Sequence, residues 1–70
     1  MEYSEEELKE FLKKEMEYFM EDVKYWEHKI QATIGNPIFE DSRRSWIRSK
    51  DIALTNWEYA RKILGMLERK

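Results

Sequence analysis

The sequence predicts an all-α fold, an antiparallel hairpin of two helices spanning about residues 4–34 and 37–68, that homodimerises into a four-helix bundle. Three observations carry this. Apolar residues recur at alternating spacings of four and three before a single turn signal, Gly35-Asn36-Pro37, and at spacings of seven, four and three after it. Only two Gly and one Pro interrupt 70 residues, which suits long packed elements rather than a many-turned β domain. Each helix also carries a second apolar stripe that one hairpin alone leaves in water.

The first helix begins at a capping box. The Ser4 hydroxyl can accept the amide of Glu7, and the Glu7 carboxylate can return to the Ser4 amide, with Tyr3 and Leu8 at the staple positions. No Gly or Pro follows before Ile34. Leu12, Met16, Phe19, Val23, Trp26 and Ile30 then form one stripe at about 100° per residue.

Gly35 suits the left-handed residue after a helix end, Asn36 an N-cap and Pro37 a first helical position, where its missing N–H has no intrahelical role. The second helix answers with Phe39, Trp46, Ala53, Trp57, Ala60 and Leu64. Two rods of about 45 Å each must fold back on one another. Facing residues then have numbers summing to about 72 under this period. Leu8 meets Leu64, Leu12 meets Ala60, Phe19 meets Ala53 and Trp26 meets Trp46, large against small in two layers.

The second stripe decides the expected assembly. Phe11, Tyr18 and Tyr25 repeat every seven residues on helix 1, and Ile52, Tyr59, Ile63 and Met66 hold a similar offset on helix 2. In antiparallel helices, equal rotations point both stripes to one side of the hairpin. These seven residues are the expected dimer interface, since two rods alone bury too little surface. Between seam and stripe lies a polar ladder. Glu15, Asp22 and Lys29 on helix 1 face Asn56, Ser49 and Ser42 on helix 2, and such interior polar positions fix register and orientation.

Composition excludes several function classes. No cysteine is present, so disulfides, zinc–thiolate sites and thiol catalysis are out. A secreted domain this small usually carries disulfide staples, which favours a cytoplasmic setting. No membrane span or export signal is read in the pattern. Residues 1–34 hold ten acids and five bases, a balance of −5, whereas residues 35–70 hold five acids and eight bases, a balance of +3. The opposite signs suggest halves lying side by side, and the overall charge of −2 disfavours general nucleic-acid binding.

Metal and cofactor sites are not expected. His28 stands on the solvent side, about 160° from the seam, and no Glu precedes it by three. Helical nucleotide pyrophosphatases pair Glu-x-x-Glu with Glu-x-x-Asp to hold Mg²⁺. Glu7 and Glu10 match the first half, but no Asp here has a Glu three positions before it. The segment Gly35-Asn36-Pro37-Ile38-Phe39-Glu40-Asp41-Ser42-Arg43 resembles the loop and second-helix start of the all-helical chorismate mutases. The basic residues that family uses on its first helix fall here at Gln31 and near Met20, so no activity carries over.

One basic run remains. Arg43, Arg44, Arg48 and Lys50, with Ser45 and Ser49 beside them, have the fork and hydroxyl chemistry to hold a phosphate or nucleotide. Arg44 and Arg48 nevertheless fall on one flank and Arg43 and Lys50 on the other, and Glu40 stands four before Arg44 for an intrahelical pair. With no nucleophile or acid–base constellation, the expected function is non-catalytic: a small homodimeric regulator, adaptor or inhibitor that binds another protein, a design that suits a viral or mobile-element product. The alternative is a binding module or sponge for an anionic small molecule such as a nucleotide.

Overall fold

The computed structural model describes residues 4–69, and these form two packed helices, α1 (Glu5–Ala32) and α2 (Glu40–Glu68), with no strand among them. They fold back on each other into a rod measuring 50 × 18 × 17 Å. Its radius of gyration, 15.9 Å, exceeds the roughly 11 Å of a compact 70-residue domain.

Helix α1 starts where expected. The Glu7 amide donates to the Ser4 hydroxyl at 3.1 Å, and that hydroxyl donates in turn to the Glu7 carboxylate at 3.1 Å. Glu7 thus engages the Ser4 side chain, whereas the sequence suggested its backbone amide. Glu5, Glu6 and Glu7 place negative charge against the first-turn amides, where the helix dipole favours it. Tyr3, the expected staple partner, lies outside the described residues.

The helix ends at Ala32, two residues before the expected limit, because Thr33 diverts the chain. Its hydroxyl donates to the carbonyls of Lys29 at 2.9 Å and Ile30 at 3.2 Å, satisfying acceptors that the helix end orphans. Gly35 then turns with φ +84°, a conformation that costs a side-chain-bearing residue steric strain.

Asn36 caps the next element, its side chain accepting from the Ile38 amide at 3.1 Å. That element is a 3-10 turn over Pro37–Phe39, so α2 proper starts at Glu40 rather than Pro37. The physical reason is the donor set. Pro37 has no N–H, Ile38 gives its own to the Asn36 side chain, and the first backbone bond is Phe39 N–H to the Asn36 carbonyl at 3.2 Å, three residues apart.

The core follows the seam. The six buried residues among those described, Leu12, Val23, Ile30, Ala53, Ala60 and Leu64, are all seam positions, and none of them is polar. Leu12 packs with Ala60 and Leu64, with Leu8, Met16, Ile63 and Leu67 around them. The alanines let the backbones approach while leucines fill the facing layer. Phe39, expected on the seam, stays exposed at the helix start and lies against Trp46 with ring centroids 6.2 Å apart.

Candidate functional site

One side of the rod carries both second stripes. Phe11, Leu12, Glu15 and Phe19 of α1 line a single shallow cleft with Asn56, Tyr59, Ala60 and Ile63 of α2. This places the two stripes on a common side, with Glu15 and Asn56 level between them. Phe11, Tyr18, Tyr25, Ile52, Tyr59 and Met66 are each 54–67% exposed. Ile63 is the exception, half-buried against the core. Six of the ten exposed large hydrophobic side chains among the described residues thus belong to one face.

The rod exposes much surface for so small a chain. The hairpin exposes 5879 Å², whereas a compact monomer of 8.7 kDa is expected to expose about 4,700 Å², a consequence of its elongated shape.

The polar ladder occupies the middle of this face. Glu15, Asp22, Lys29 and Ser49 are half-buried, and Ser42 and Asn56 are exposed. Within one hairpin Glu15 and Asn56 share a cleft, and no hydrogen bond joins them among the described residues. Among the described residues, side-chain hydrogen bonds that reach beyond a single helix and its own cap come from Arg43 and Lys50. Lys29 has a different neighbourhood from the expected Ser42. Its ammonium lies 5.1 Å from the Tyr25 ring centroid, 5.5 Å from Trp26 and 5.1 Å from Trp46. Three ring faces offer a half-buried cation compensation without a counter-ion. The signal was present in the sequence as aromatics three and four residues before Lys29, with Trp46 opposite Trp26.

The basic run does not converge. Arg43 turns back to the hairpin bend, where its guanidinium donates to the Thr33 carbonyl and, at 2.9 Å, to the Asn36 carbonyl. Lys50 pairs with Glu27 across the helices. Arg44 sits 3.7 Å from Glu40, as the spacing suggested, and Arg48 is exposed. Ser45 is exposed and Ser49 half-buried toward the ladder. Sequence reasoning missed the roles of Arg43 and Lys50, which close the side of the rod opposite the apolar face.

The electrostatics of that closure are local. The Lys50 ammonium, and next the Gln31 amide, donate to the Glu27 carboxylate and hold its pKa below the ordinary 4.5. His28 is exposed. Among the described residues no group of three His, Cys, Asp or Glu side chains gathers as a metal site, and no helix is long and apolar enough to cross a membrane. Comparison with known protein families, curated proteins and solved structures gives no match.

Proposed function

We propose that the chain works as a homodimer, two hairpins closing face to face into a four-helix bundle, and that this dimer is a non-catalytic regulator, adaptor or inhibitor of another protein. The observation that carries the reading is the common apolar face. Its three helix 1 aromatics and their helix 2 counterparts form two parallel rows that run most of the rod, with a polar ladder between them. A second copy brings a surface of the same length and the same alternation, and a two-fold closes it on itself. The ladder then lies at the centre of the bundle, where Glu15 and Asp22 gain amide and hydroxyl donors from both copies.

An interaction role follows from what the remaining surface offers. No residue set on it combines a nucleophile with an oriented base. The anion-binding alternative has weaker support, because Arg43 and Lys50 are already engaged by backbone carbonyls and a carboxylate.

Sedimentation equilibrium at micromolar concentration tests the assembly. The expected mass is twice 8.7 kDa, and a well-folded helical monomer overturns it. A thermal-shift screen of nucleotides and metal ions separates the two functional readings. An anion at a hundredfold excess over its Kd adds about 2.7 kcal/mol of stability, and such a shift would favour the binding module over the protein-binding one.

A further inference from the structure

Two closed arrangements satisfy a two-fold pair of hairpins. If the axis runs along the bundle, both turns lie at one end and α1 of each copy packs beside α2 of the other. If the axis runs across the bundle, the turns lie at opposite ends and each helix packs beside its own copy. Resting on the homodimer reading above, we infer that the turns lie at the same end, with α1 of each copy against α2 of its partner.

Charge complementarity carries the choice. Helix α1 holds nine acids and five bases, a balance of −4, and helix α2 five acids and six bases, a balance of +1. Opposite-end packing sets like against like along both new seams. Same-end packing sets acidic against basic along both, and interfaces select their partners by such complementarity.

Residue positions at the rim agree. An axis parallel to the helices leaves heights unchanged, so positions level within one hairpin are level between copies. Glu15 and Asn56 share a cleft, which fixes level positions as pairs whose numbers sum to about 71. On the outer edge of the face, one step beyond the Phe11 and Tyr59 stripes, Glu7 comes level with Lys62 of the other copy. The match holds within about two residues, or ~3 Å of rise. Both side chains are exposed, as rim charges must be. Within one hairpin these partners stand on opposite outer edges, and none of the ion pairs among the described residues joins them. The acidic edge and the basic edge therefore meet only when a second copy supplies the other.

The carboxylates of the ladder give the same answer. Opposite-end packing brings Glu15 of one α1 beside Asp22 of the neighbouring α1. Same-end packing puts Asn56 and Ser49 of the other copy beside them, where a donor faces each acceptor.

Distance measurement between spin labels tests this directly. The chain has no cysteine, so a nitroxide on Ile34→Cys is the only label per copy. Ile34 stands in the turn and is 62% exposed. Same-end packing gives an intermolecular distance below about 30 Å, since neighbouring bundle helices lie 8–10 Å apart. A distance near the 50 Å length of the rod overturns the same-end arrangement and leaves the dimer standing. A monomeric mass with no intermolecular coupling overturns the dimer as well. A second label on Glu6→Cys, at the open end of the rod, repeats the measurement independently of the turn. Same-end packing again requires the short distance there, and a long one overturns it.

Discussion

Arg43 does the work of a C-cap from ten residues away. Its guanidinium adds a charged donor to the Thr33 and Asn36 carbonyls, which otherwise accept one backbone amide each in the turn. Charge-assisted bonds of this kind are worth more than neutral ones, so Arg43→Ala should lower stability by about 1–2 kcal/mol, read by urea denaturation. Glu27 offers a test with a direction in pH. Its folded pKa lies below the ordinary 4.5 because Lys50 donates to the carboxylate. A carboxyl whose pKa is depressed by folding stabilises above its unfolded pKa and loses that contribution as pH falls through the folded value. Glu27→Gln should therefore be less stable than the parent at neutral pH, and the two should converge in thermal melts as pH drops below 4.5. Gly65 sits inside the last turns of α2 with an ordinary negative φ, and a Cβ there meets nothing within 4 Å. Gly65→Ala should raise stability by roughly 0.5–1 kcal/mol through helix propensity alone, measured by the same melts.

At the scale of the helices, the seam is the dominant stabilising feature and was the most legible one. Every buried residue among those described falls on a stripe read from spacing, because burial in an αα-hairpin depends on helical period and a single turn position. The ends of the helices were legible to within two or three residues through Ser4, Gly35, Asn36 and Pro37, whose chemistry acts on their immediate neighbours. Contacts set by three-dimensional placement were not. The reach of Arg43 to the bend and the pairing of Lys50 with Glu27 both depend on the angle between helices, which residue spacing does not encode. Leu12 measures what the seam contributes. It is 7% exposed and packs on Ala60 and Leu64, so Leu12→Ala leaves a space that the short methyl of Ala60 opposite does not fill. The expected loss is about 2–4 kcal/mol by denaturant titration, large for a chain this small.

Taken as one body, a lone hairpin of this size has little stability to spare, and the proposed second copy would add to it. Among the described residues its core holds six buried side chains, two of them alanine, and six large exposed hydrophobic side chains lie on the face proposed to meet a second copy. Folding and association are then linked. A partner that binds only the folded hairpin stabilises it by mass action, so the midpoint of thermal unfolding should climb as protein concentration rises. Tyr18 and Tyr59 stand on the two stripes of that face and are 63% and 67% exposed in the single hairpin. Replacing both with Glu removes little from the seam but puts four carboxylates into a closed interface, where unpaired charge is strongly disfavoured. The double variant should sediment as a monomer, lose helicity at micromolar concentration and melt at a temperature independent of concentration. A variant that stays dimeric, or a parent whose midpoint does not move with concentration, would place the aromatic face in solvent and leave the hairpin to stand on its seam alone.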